Sequence, residues 1–299
     1  MSNARRPIVE ALRLWVFRRL DDVARRWLEE QLERVRHATG ERPLYAALGF
    51  VPAKLGKADL ALDADDLARA ERCRTGWNPH AWSVDQSARI LLVLESNAEA
   101  EPFARLLETL FATADVGEAV ALYRGLPLYP GPEQYVRRAT EGARTSMRSV
   151  FEAVAHDNPY PADFFSETAW NHMVVKALFI GSTLAPIQGL ERRENAELAI
   201  MLRGYAHERW SAGRPVSPEV WRCVGRFGGM AAVEDLSRVL AGDSPLDRRA
   251  AALALVANGS EQARAVLQRE PALARSAADG TLTWATLYDA PQNENGQPT

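Results

Sequence analysis

Lysine is almost missing from this chain. Of its 36 basic residues, 33 are arginine and only three are lysine, at positions 54, 57 and 176. Cysteine is scarce as well. Cys73 and Cys223 stand far apart and match no metal or redox spacing, which favours a reducing compartment. No basic block interrupts a balance of net charge −3, so nucleic-acid binding has no electrostatic support and is not expected. A long uncharged apolar run is lacking too. The stretch with fewest charges lies between Glu167 and Glu191, and it holds His172, Lys176, Gly181, Pro186 and Gln188, which argues against a membrane span. Arg5-Arg6 resembles the start of a twin-arginine signal. The segment behind it, Ile8 to Leu20, contains Glu10, Arg13, Arg18 and Arg19, and no cleavage site of small residues follows. The chain reads as cytoplasmic, soluble and not transmembrane.

Motifs of chemistry are absent in the same way. There is no G-x-S-x-G elbow, no phosphate-cradling glycine loop, no Rossmann fingerprint and no His-bearing signature beside either cysteine. His207-Glu208 begins like a zincin motif, but Ser211 stands where the second histidine is required. His156-Asp157 has no partner at ligand spacing. Neither a metal nor a cofactor is expected.

What is present is a globular composition, 47% apolar and 25% charged, over 299 residues, enough for one elongated domain or two ordinary ones. Apolar positions at Ile8, Leu12, Trp15, Leu20, Val23, Trp27, Leu28, Leu32 and Val35 keep close to a 3.6 period and predict one long amphipathic helix over 8–36. The acids Asp21, Asp22, Glu29, Glu30 and Glu33 point to a packed first helix rather than one lying on a membrane surface. Residues 40–80 carry many Gly and Pro and predict short helices and loops, with one helix around Ala64–Cys73. Ser83 caps a helix over Val84–Leu94, and Pro102 suits the first turn of another running to about Ala114. Glu118–Arg124 is a short helix, and three prolines make Leu126–Pro132 a loop. A longer helix is expected from Glu133 to Ala155, with a break near Gly142.

The last third reads as paired helices. Ser217-Pro218 opens one, 230–241 forms the next, and Ser244-Pro245 opens a third that Gly259 closes. Ser260 caps a fourth, ended by Pro271. No strand alternation occurs anywhere. The expected fold is all-α, with antiparallel helix pairs in a HEAT/TPR-like α-solenoid or irregular helical bundle. Its parts would be an N-terminal helical segment over 1–80, a helical core over 81–228, HEAT-like helix pairs over 229–289 and a disordered tail over 290–299.

One stretch, 156–210, gathers three of the five histidines and two of the eight tryptophans. Within it, His172 and Lys176 are four apart and share a helix face, beside the apolar Trp170, Met173, Val174 and Ala177. An amine desolvated there would have a depressed pKa, or would need an acid such as Asp157, Glu167 or Glu208. It could hold an anion or form a Schiff base, or simply snorkel. Asn158-Pro159-Tyr160-Pro161 stops one helix and fixes a turn that aims Trp170 and Asn171. Arg144, Arg193 and Arg209 could grip a carboxylate or phosphate bidentately, or pair with acids of the chain. Tyr205 and Trp210 sit at helical spacing and are most simply core. Asn158, Tyr160, Trp170, Asn171, Lys176, Tyr205, His207, Glu208 and Arg209 are expected to converge on one pocket or groove. With Arg144 and Arg193 they make up the ligand- or partner-binding candidates; no catalytic residue is assigned.

Several motifs between roughly 120 and 228 carry a resemblance. They are Leu126-Pro127-Leu128-Tyr129-Pro130, Glu141-Gly142-Ala143-Arg144-Thr145, Asn158-Pro159-Tyr160-Pro161-Ala162, the run Ala169 to Phe179, Tyr205-Ala206-His207-Glu208-Arg209-Trp210 and Pro218-Glu219-Val220-Trp221-Arg222. Together they resemble the EboA family. The family pattern has Gln at the position of His172 and Asn at that of Ser146, which argues against an essential role for His172. The resemblance implies a bacterial gene-cluster protein. Such clusters are associated with making or moving secondary-metabolite precursors, including export of a sunscreen-pigment precursor toward the periplasm in cyanobacteria. The implied partners are products of the same gene cluster, a membrane prenyltransferase-like protein among them, or a small-molecule precursor. The expected function is that of a non-catalytic helical-repeat protein in production or export of such a precursor, binding a small molecule or partner proteins. The alternative is an enzyme acting on a small anionic or carbonyl metabolite, with Lys176 and His207 as acid–base groups.

Overall fold

Asp21 sets the first departure from the sequence pattern. In the computed structural model, which describes residues 5–96 and 100–289, the expected helix over 8–36 is two: α1 (Arg5–Arg18) and α2 (Asp22–Arg36). Asp21 is extended, and its carboxylate accepts hydrogen bonds from the Val23 and Ala24 amides at 3.0 and 2.8 Å, capping α2. The hydrophobic period runs across the break because both helices bury a face.

The helices that follow are α3 (Arg42–Leu55), α4 (Ala64–Cys73), α5 (Val84–Glu95), α6 (Ala100–Thr113), α7 (Val116–Arg124), α8 (Val136–Gly142), α9 (Arg148–Ala155), α10 (Tyr160–Phe164), α11 (Glu167–Phe179), α12 (Ala196–Ser211), α13 (Gly229–Leu240), α14 (Pro245–Asn258), α15 (Glu261–Leu267) and α16 (Pro271–Ala278). Short 3-10 helices occupy Leu126–Leu128, Pro132–Tyr135 and Pro218–Cys223. No strand occurs among the described residues, only the isolated bridges Asp59–Ser83 and His156–Ile187, so the protein is all-α as expected. The expected tail over 290–299 lies outside the described residues.

The helix expected over 133–155 is divided between a 3-10 turn, α8 and α9. Gly142 marks the division: a Cβ there would fall 2.6 Å from the Tyr123 ring, so the chain passes that ring only as glycine. Pro271, expected to end α15, instead opens α16, where its missing N–H costs nothing. Ser83, Ser244, Gly259 and Ser260 take the capping positions that the sequence assigns them.

The described residues divide into two compact units. One comprises those up to Trp170 with Pro186–Gln188, and the other comprises Asn171–Ala185 and those from Gly189 onward. The first is built on α5, whose residues are all buried except Gln86 and against which α1, α2, α3 and α7 pack. Among its buried charges, Arg89 pairs with Asp85 at 2.9 Å and Glu95 with the half-buried Arg36 at 3.0 Å. In the second unit α14 is central, touched by α13, the 3-10 helix Pro218–Cys223, α15 and α16. Its buried run Ala250–Leu255 is mostly alanine, which lets backbones come close. At Gly225 a Cβ would meet the Ala254 carbonyl oxygen at 2.3 Å. Among the described residues no helix is long and apolar enough to cross a membrane.

Candidate functional site

The second unit holds the arrangement with most chemical character, and α12 supplies its frame. Asn195 caps this helix by accepting from the Leu198 amide at 2.8 Å. Helical spacing then puts Arg203 and His207, four apart, and His207 and Trp210, three apart, on neighbouring positions of one face. That face meets α13. Arg203 Nε and His207 Nε2 both reach the carboxylate of Asp235, at 2.7 and 2.8 Å. Asp235 is buried, whereas the His207 side chain is 53% exposed, so one carboxylate anchors a ring that still reaches solvent.

From His207 the contacts continue into Trp210, with ring centroids 5.3 Å apart. The Arg238 guanidinium lies over the Trp210 ring at 4.5 Å, a cation–π geometry. The Trp221 ring stacks on Trp210 at 5.6 Å and 29°. Asp235 and Arg238 are three apart on α13, so the anchor and the stacked cation belong to one helix face. Beside them opens a cleft of about 280 Å³, lined by Trp210, Trp221, Arg214, Arg238, Asp243 and Asp247 with a few apolar neighbours. Its polar groups are two guanidiniums, two carboxylates and two indoles; Ser244, also in the lining, accepts from the Asp247 amide as the cap of α14. Such a set can hold and orient a ligand. It offers no activated nucleophile.

The sequence-derived candidates fall as follows. In the second unit, Tyr205 donates from its hydroxyl to the Leu178 carbonyl at 3.2 Å, with the Phe179 ring edge-on at 4.9 Å. The Arg209 guanidinium stands 5.8 Å from the Tyr205 ring and donates from Nε to the Pro215 carbonyl at 2.5 Å. Glu208 is exposed on α12, Lys176 is half-buried on α11, and Arg193 is half-buried just before α12. Asn171 is buried and exchanges two amide hydrogen bonds with Asn195, at 3.1 and 2.9 Å, which ties α11 to the cap of α12. In the first unit, Asn158 donates to the carbonyls of Tyr123 and Ala153 at 3.2 and 3.0 Å, and accepts from the Tyr160 amide at 3.0 Å. The Tyr160 hydroxyl donates to the Pro132 carbonyl, and burial pushes its pKa above the usual tyrosine range. Trp170 is fully buried, and Arg144 is exposed in the link between α8 and α9. The structure therefore joins Asn158 to Tyr160, places Tyr205 beside Arg209, and sets His207 against Trp210.

Among the described residues no group of three or more His, Cys, Asp or Glu is placed to hold a metal ion. The sequence reading did not single out Arg214, Trp221, Asp235 or Arg238 as site residues. One signal was available for the tryptophans. Trp210 and Trp221 flank the turn Ala212-Gly213-Arg214-Pro215, where Gly213 takes φ 64°, so the chain reverses between them. Nothing in the sequence announces that α13 would supply the other wall.

Residues 8–225 match the family model described as metabolite traffic protein EboA. No curated protein matches the chain, and no solved structure matches it.

Proposed function

The chain belongs to the EboA family, whose description is that of a metabolite traffic protein, and from that membership we propose a non-catalytic role in the production or export of a secondary-metabolite precursor. The protein would act in the cytoplasm by binding a small molecule or partner proteins encoded in the same gene cluster, a membrane prenyltransferase-like protein among them. The observation that carries this reading is the cleft beside Trp210. Its wall is pre-organised by stacking and by the Asp235 anchor, and its lining has binding groups without an activated nucleophile. The test is affinity capture of the full chain from its native host, followed by native mass spectrometry. A retained small molecule or a co-purifying neighbour gene product is expected. Recovery of the bare chain alone, under conditions that preserve weak complexes, would defeat the proposal.

A second reading has one observation in its favour. His207 is half-exposed and held by a buried carboxylate, the arrangement by which enzymes orient a general base. Arg203 shares that carboxylate, however, and already neutralises it. An enzyme acting on a small anionic or carbonyl metabolite through His207 would convert candidate metabolites in vitro and lose that turnover in a His207→Ala variant.

A further inference from the structure

We propose that the cleft beside Trp210 takes a planar aromatic monocarboxylate of one or two rings that also carries a hydrogen-bond donor. This assignment rests on the binding reading and names the class of ligand for it.

The arginines carry the first part of the argument. In the same unit Arg203, Arg222 and Arg248 are each matched to an acid, Asp235, Glu191 and Glu270. Arg214 and Arg238, which line the cleft, have no ion pair among the described residues. The Arg238 guanidinium also lies over the Trp210 ring, its carbon 4.5 Å from the centroid. A guanidinium stacked on an indole uses its face and leaves its N–H edge open, and that edge matches a carboxylate fork bidentately.

Trp221 gives a second, independent indication. Only 1% of this residue is exposed, yet its indole N–H has no hydrogen-bond partner among the described residues, and it lines the cleft. The sealed donors without a partner include Trp77 Nε1 but not Trp221 Nε1, so the Trp221 N–H keeps contact with solvent and can donate into the cleft. A ligand carboxylate would satisfy it together with the Arg238 edge.

The remaining walls narrow the class. The stacked pair Trp210–Trp221 favours a flat ligand over a branched aliphatic one. Asp243 and Asp247, also in the lining, offer acceptors, so they reward a ligand N–H or O–H and repel a second negative charge. That disfavours phosphates and dicarboxylates. The volume of about 280 Å³ lies just below the usual range of ligand sites, about 300–1,000 Å³, and suits one or two rings rather than a nucleotide or a lipid.

The test uses 6-hydroxy-2-naphthoate as probe, with its neutral amide, 2-naphthoate and inorganic phosphate as comparators, titrated calorimetrically into the full chain. The hydroxynaphthoate should bind. The amide should bind about ten-fold more weakly or worse, as loss of a charge-assisted pair requires. Phosphate should give no competing heat. Arg238→Ala should erase the preference for acid over amide, and Arg238→Lys should recover little of it, because an ammonium lacks the planar fork. Asp247→Asn should narrow the gap between hydroxynaphthoate and 2-naphthoate. Arg238 is exposed, so its variants should melt like the wild type, and a melting scan verifies this. Equal binding of acid and amide, wild-type affinity in Arg238→Ala, or no binding of the acid to wild type overturns the assignment. Native mass spectrometry separates the two levels. A metabolite or partner retained by Arg238→Ala as strongly as by wild type refutes the cleft but leaves the binding reading standing. Wild type that retains nothing refutes that reading.

Discussion

Asp66 in the first unit and Asp235 in the second are both buried aspartates on helices, each holding two side-chain donors near a group of tryptophans. Asp66 accepts from Trp15 Nε1 at 2.7 Å and from Arg18 at 2.5 Å, and it also closes the reciprocal cap with Asp63 at the start of α4. Trp15 is wholly buried and packs on Trp77 at 5.3 Å, which packs on Trp82 at 5.9 Å. The chain of contacts ends in the core. Asp235 accepts from Arg203 and from His207, and His207 leads out to Trp210 and the cleft. The difference lies in the indole N–H. In the first unit the Trp15 N–H is consumed by the carboxylate and the Trp77 N–H is sealed in the core without a partner, so the aromatic cluster is a closed strut. In the second, the carboxylate is taken by Arg203 and His207, and the Trp210 and Trp221 N–H groups have no hydrogen-bond partner among the described residues.

The sharpest way to break this comparison is to delete both carboxylates. Asp66→Ala strands the Trp15 N–H in the core, unpairs Arg18 and removes a helix cap. A loss of about 3 kcal/mol or more is expected in urea denaturation. Asp235→Ala should cost less, about 1–2 kcal/mol, because the half-exposed His207 can turn to water. Equal losses would mean that Asp235 is as closed a strut as Asp66.

Acid should act on the Asp66 site more gently. Burial alone would raise the Asp66 carboxyl, but the hydrogen bonds from Arg18, the Asp63 backbone and Trp15 outweigh it and hold the group below its ordinary value. A depressed folded pKa stabilises fully above the unfolded value, about 4, and that contribution is lost as pH falls through the folded pKa. The stability gap between wild type and Asp66→Asn should therefore be constant near neutrality and shrink below about pH 4. A gap that widens on acidification would contradict the assignment.

Much of the helical frame was legible because its signals are local. Ser244 and Ser260 accept from amides three residues on, the Ser83 N–H donates to the Gln86 side chain, and the Gly259 N–H donates back to the Leu255 carbonyl, so each marks its helix end through a short-range bond. The helix start at Asp21 is masked in the sequence because its cap lies inside an unbroken hydrophobic period. The cleft was legible only on one side. The Tyr205–Trp210 and Pro218–Arg222 motifs are within the family match over 8–225, but Arg238, Asp243 and Asp247 lie beyond it. Pairing α12 with α13 is a tertiary event that no spacing rule encodes. Lys176 stands out in the sequence because lysine is rare, whereas the cleft is lined by arginine, whose abundance hides any single one.

His207→Gln offers the smallest and most discriminating change. A glutamine amide reaches about as far as the imidazole Nε2 and can still donate to Asp235, so the anchor survives. What disappears is the ring against Trp210 and any ability to exchange a proton near neutral pH. The side chain is more than half exposed, so the stability change should stay within about 1 kcal/mol. If His207 only steadies Trp210, hydroxynaphthoate binding should weaken by a few-fold at most, and its pH dependence between about 5 and 8 should match that of wild type. A variant that binds normally but loses a conversion seen with wild type would make His207 an acid–base group. The open carboxylate of the second unit would then be an oriented base, and the comparison with Asp66 would become one between a strut and an active site.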